Sequence, residues 1–64
     1  MIANRVKEIR ENLGMSQAEL AEKSGISRTM ISKLETNQKV DCKVSTLLAL
    51  SNALGYPVSE IFLS

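Results

Sequence analysis

The side chains with most to offer a partner lie in one short run. "SGISRTMISK" carries Arg28, Thr29, Ser32 and Lys33 within six positions. A guanidinium, an ammonium and two hydroxyls are hydrogen-bond donors suited to recognition. Catalysis needs other groups. The chain has no histidine, no phosphate-cradling glycine loop and no paired carboxylates beside a nucleophile. At 64 residues it has no room for a deep pocket. We expect no enzyme. With one cysteine, Cys42, and no histidine, no Cys/His metal cluster or intramolecular disulfide can form. No metal or cofactor is expected. A lone thiol fits a reducing compartment, the cytoplasm, and Cys42 reads as a small loop residue.

The elements that must position these side chains are helices. With no Trp, one Tyr and one Phe, the core must come from Leu, Ile, Val, Met and Ala. That choice favours helix over sheet. The length allows one domain, residues 1–64, with little buried surface and much to gain from a second copy. The N-terminus shows neither a signal peptide nor a run of about 18 apolar residues, so no export or membrane span is expected. Net charge is only +1, but residues 24–46 set four cations against Glu35 and Asp41. A polyanion feels this local excess over a Debye length of about 8 Å.

Ile2, Val6, Ile9 and Leu13 form one helical stripe, ended by Gly14. "SQAE" is a capping box: Ser16 and Glu19 open a second helix, with Leu20 and Ala21 inward and Gly25 as its stop. Ser27 caps a third, running to about Glu35. At about 100° per residue, Met30, Ile31 and Leu34 share one side of it, and Arg28, Thr29, Ser32 and Lys33 the other. "TNQKVDCK" is a polar loop. Ser45 is expected to cap a fourth helix with Leu47, Leu50 and Leu54 buried, Leu48 off the stripe and Gly55 at the end. Pro57 and Ser59 open a last short helix with Val58, Ile61 and Phe62.

The second helix is too short to stand alone, so its role is positional. Gly25 permits the left-handed backbone that turns the chain into helix three, Ile26 plugs the corner, and Ala21 allows close approach. Two helices joined this way form a helix-turn-helix, whose second helix can enter the major groove of DNA.

"SQAELAEKSGISRTMISKLE" resembles the helix-turn-helix of the Cro/cI-type (XRE) repressor family. Gln17, Leu20, Ala21, Gly25, Ile26, Ile31, Leu34 and Glu35 carry the likeness. "RVKEIRENLGMSQ" and "TLLALSNALGYPVSEIF" extend it over almost the whole chain. Cys42 stands about where many relatives have a loop proline, and Pro57 where a serine cap is common. The resemblance implies an all-α, five-helix, lambda-repressor-like domain that binds operator DNA as a homodimer.

On that basis Arg28 is the leading base reader, because a guanidinium can hold guanine O6 and N7 together. Thr29, Ser32 and Lys33 stand beside it as further base or phosphate contacts. In the family, a glutamine at the place of Gln17 bonds a phosphate. Ser27, Asn37, Gln38, Lys39 and Lys43 are the remaining phosphate candidates, adding affinity blind to sequence. The resemblance also implies that Arg10 and Glu35 meet as a partly buried ion pair. Leu48, Val58, Phe62 and Leu63 are the candidate dimer surface. The expected function is a cytoplasmic transcription regulator, a repressor on a near-palindromic site. The alternative is an antitoxin or protein-interaction subunit that binds DNA secondarily, with the same apolar residues facing an unseen partner. Ending at "IFLS" also fits a piece of a longer regulator.

Overall fold

The computed structural model of the protein describes residues 3–36 and 43–63, with residues 3 and 63 described by backbone alone. Among them run β1 (Ala3–Asn4), α1 (Val6–Asn12), α2 (Gln17–Ser24), α3 (Arg28–Glu35), α4 (Val44–Leu54), α5 (Val58–Ile61) and β2 (Phe62–Leu63). Two helix starts are closed by a side-chain cap on the N-cap residue. At α2 the capping box is complete: Glu19 N donates to Ser16 Oγ at 3.0 Å, and Ser16 N to Glu19 Oε1 at 3.1 Å. Such a cap stabilises a helix by about 1 kcal/mol. At α3 the Met30 amide donates to Ser27 Oγ at 3.1 Å. The turn between them is made by Gly25, whose φ of 75° closes α2 in the left-handed region.

Four sequence expectations are corrected. Helix α4 starts one residue after Lys43, whose carbonyl accepts from Thr46 N and Leu47 N, so Ser45 lies inside the helix and does not cap it. Leu13, the C-cap of α1, is 47% exposed although its amide still donates to the Ile9 carbonyl at 3.0 Å, so the stripe continues to the helix end but is not covered there. In α4 the buried side chains are Leu50, Ala53 and Leu54, while Leu47 is half-buried. The helix is thus rotated towards its smallest apolar residue. Finally, Phe62, expected in the last helix, lies past its end at Ile61 in β2, which runs antiparallel to β1 with Ala3 opposite Leu63 and Asn4 opposite Phe62. Two-residue strands leave no periodic signal, and their pairing exists only once the helices have brought the ends together.

Val6, Ile9, Leu20, Ile31, Leu34, Leu50, Ala53, Leu54 and Ile61 form one buried cluster drawn from all five helices. Met15, Ala21, Ile26, Met30, Tyr56 and Phe62 pack around it half-buried. Helix α2 rests on both α3 and α4, so this two-turn helix is held from two sides. That support replaces the stability its length cannot supply.

Candidate nucleic-acid interface

Because Ile31 and Leu34 are anchored in the core, the opposite side of α3 is turned outward. Arg28, Thr29 and Lys33 are exposed and Ser32 is half-buried. These four, together with Gln17 from the first position of α2, line one open groove of about 420 Å³. The floor and rim are donors: a guanidinium, an ammonium, two hydroxyls and an amide. The surface is too open to exclude water from a reacting bond, but its groups can meet the phosphates and base edges of a duplex.

Behind the groove lies a network centred on one carboxylate. Arg10 donates from Nε to Glu35 Oε2 at 2.7 Å and from Nη2 to Glu35 Oε1 at 3.1 Å. Gln17 Nε2 donates to Glu35 Oε1 at 3.0 Å, and Arg10 Nη1 reaches the Met15 carbonyl at 2.6 Å. The Arg10 and Glu35 side chains are 11% and 3% exposed. Burial alone would push the Glu35 carboxyl up. The hydrogen bonds from Arg10 and Gln17, with the charges of Arg10 and Lys7, outweigh it and hold the group below the ordinary carboxylate value. The bond to Glu35 likewise raises the Arg10 guanidinium, against its own desolvation. The end of α1, the turn into α2, the start of α2 and the last residue of α3 thus meet at one charge.

Other candidates fall in different places. Ser27 is exposed and its hydroxyl caps α3, in a position beside the groove. Lys43 is exposed at the start of α4, whereas Asn37, Gln38 and Lys39 lie outside the described residues. Leu48 is 54% exposed, Val58 and Phe62 are half-buried, and the Leu63 side chain lies outside the description. Phe62 packs against the domain's own core. Sequence reasoning missed Asn4. Its Nδ2 donates to the Leu34 carbonyl at 2.9 Å, and its Oδ1 accepts from Val6 N at 3.1 Å. One amide therefore caps α1 and closes the end of α3, across 30 positions that no local pattern spans. Sequence reasoning also missed Val44, which is 71% exposed one turn before Leu48. Among the described residues no three His, Cys, Asp or Glu side chains gather as metal ligands. Nor is any helix there long and apolar enough to cross a membrane.

A short positional helix, a left-handed glycine turn and a second helix with an outward polar face define a helix-turn-helix domain. The helix-turn-helix family model matches residues 6–61, and the chain belongs to that family. It is 37% identical over 60 residues to the immunity repressor protein of Bacillus phage phi105, covering 94% of this chain and 41% of that one. The chain thus spans well under two thirds of that relative's length. Among solved structures it is similar to the N-terminal DNA-binding domain of the biofilm regulator SinR from Bacillus subtilis. That likeness has TM-score 0.78 and 33% identity over 94% of this chain and 87% of that one. SinR in its complex with SinI gives TM-score 0.82 and 34% identity over 92% of this chain and 57% of that one. The restriction-modification controller protein C.AhdI from Aeromonas hydrophila gives TM-score 0.80 and 32% identity, covering 88% and 83%.

Proposed function

We propose that the protein is a sequence-specific, double-stranded-DNA-binding transcription regulator that acts as a repressor. The observation that carries this is the single groove in which Gln17 of α2 meets Arg28, Thr29, Ser32 and Lys33 of α3. Helix α3 lies in the major groove, with Arg28 reading a guanine and Thr29, Ser32 and Lys33 on neighbouring bases or phosphates. Helix α2 crosses the backbone, where Gln17 and the positive end of the helix face a phosphate. Ser27, Asn37, Gln38, Lys39 and Lys43 add phosphate contacts on either side. The phage immunity repressor and the SinR DNA-binding domain among its relatives support this reading.

Two copies act together on a near-palindromic site with half-sites about one helical turn apart. Exposed Leu48, with Val58, Phe62 and Leu63, forms the contact between them. The regulator works in the cytoplasm without a cofactor and is not an enzyme. A second reading, a subunit that mainly binds another protein, draws support from the relative solved in a complex with SinI.

The test is selection of duplexes from a randomised library by the purified protein at near-physiological salt. An enriched inverted repeat supports the dimeric regulator, and its spacing gives the dimer geometry. No enrichment, with only weak salt-sensitive binding, overturns it in favour of the protein-partner reading.

A further inference from the structure

Glu35 is almost wholly enclosed, so it cannot touch a duplex itself. Yet one of its oxygens holds Gln17, which lines the outward groove. We infer that Glu35 is a positioning residue of the DNA interface, acting through the side-chain amide of Gln17. The inference rests on the DNA-binding reading above. An ionised carboxylate only accepts hydrogen bonds, so the Gln17 amide must turn its N–H towards Glu35. The two bonds from Arg10 keep the carboxylate ionised and fix it in place. The Gln17 amide is therefore locked in one of its two flips. It presents its carbonyl oxygen and its second N–H to the groove in a set orientation.

That orientation has consequences for what Gln17 can do. A phosphate accepts but does not donate, so only the second N–H serves it. The carbonyl oxygen is left for a donor, and Arg28 and Lys33 line the same groove. Without Glu35 the amide is free to flip, and ordering it falls on the binding step. The last residue of α3 thus sets the geometry of the first residue of α2 by reaching back across the turn.

The test compares wild type, Glu35→Gln, Gln17→Ala and the double variant at a temperature where all four are folded by circular dichroism. The probes are the duplex enriched by the wild type and a pooled random duplex of equal length. Glu35→Gln should weaken binding to the enriched duplex about 3- to 10-fold, as loss of one ordered hydrogen bond does. In the Gln17→Ala background the same change should leave affinity unaltered, although its effect on stability remains. An unchanged affinity for Glu35→Gln, or an equal loss in both backgrounds, overturns the inference. Where Glu35→Gln does not fold, Glu35→Asp keeps the charge towards Arg10 but withdraws the carboxylate by one methylene. The NMR signals of the Gln17 side-chain amide should then move to solvent-exposed positions, with a comparable loss of affinity. Moved signals with undiminished affinity overturn it too. A wild-type protein that enriches no sequence overturns the DNA reading itself, whatever the amide signals show.

Discussion

The two ends of α3 treat polar side chains in opposite ways. At its last residue, Glu35 sits 3% exposed with three hydrogen bonds to its oxygens. At its start, Arg28 and Thr29 are exposed and make no side-chain hydrogen bond among the described residues, and Lys33 further along is the same. The difference teaches what each end is for. A buried carboxylate must be saturated with partners or it destabilises the fold. A recognition side chain must be left unsaturated, because its partner has yet to arrive. The closed end fixes the position of the helix, and under the proposed function the open end uses it.

Breaking the closed end should have the largest effect. Arg10→Ala removes two bonds from Glu35 and leaves its carboxylate buried with Gln17 alone. The expected cost is about 3–5 kcal/mol, read as a shift in the urea midpoint. For a domain this small that is most of its stability. A shift near zero would mean that the ion pair does not hold the closed end together.

Acid attacks the same point more gently. Glu35 is held below the ordinary carboxylate value in the folded state. Its contribution is therefore complete at neutral pH. It is lost as pH falls through about 4.3, the usual glutamate value, and on past the depressed folded one. Urea midpoints measured down this range should fall for the wild type and fall less steeply for Glu35→Gln. Parallel slopes would show that other carboxylates dominate acid unfolding.

The closed end is the less legible of the two in local pattern, its Arg10–Glu35 pair being implied only by the family resemblance. The sequence marks α2 and α3 clearly, because Ser16, Glu19, Gly25 and Ser27 act within three or four residues of their own position. The groove-facing set on α3 follows from the same local periodicity. Gln17 could be placed at the start of α2, but its bond to Glu35 spans 18 positions and has no local signature. Asn4 is the stronger case: its bond with Val6 is local, but its bond to the Leu34 carbonyl spans 30 positions and depends on how α1 and α3 pack. Leu13 and Ser45 depart from the sequence pattern for different reasons: Leu13 keeps its helical bond to Ile9 but is not covered, whereas Ser45 lies inside α4, past the Lys43 carbonyl that opens it. A periodic stripe says which face is buried, but only hydrogen bonding fixes where the helix starts and stops.

Between the two ends lies the turn, where a smaller effect is expected. Gly25 has φ of 75°, and a Cβ added there would meet nothing within 4 Å. Gly25→Ala therefore carries only the cost of an L side chain in the left-handed region, about 1 kcal/mol. Gly25→Asn should cost less, since asparagine enters that region more readily. Both are read by urea unfolding. A loss for Gly25→Ala as large as that for Arg10→Ala would mean that the turn, and not the carboxylate network, governs how α3 is set.

The smallest effect on stability belongs to Arg28→Ala, and it sharpens the comparison most. The side chain is exposed at the first position of α3, and the Ser27 cap donates nothing to it and takes nothing from it. Alanine is also the best helix former. The urea midpoint should stay within about 0.5 kcal/mol of wild type, the usual range for such surface changes. Binding is a different matter. If Arg28 holds guanine O6 and N7, its loss should remove about 1–3 kcal/mol of preference for the guanine-containing half-site. Affinity for pooled random duplex should fall much less, through the loss of one cation. An open end that can be emptied without unfolding the domain, and whose emptying erases sequence preference, is what a recognition surface requires. An Arg28→Ala protein that unfolds would instead place this side chain among the structural groups, and the two ends of α3 would no longer differ in kind.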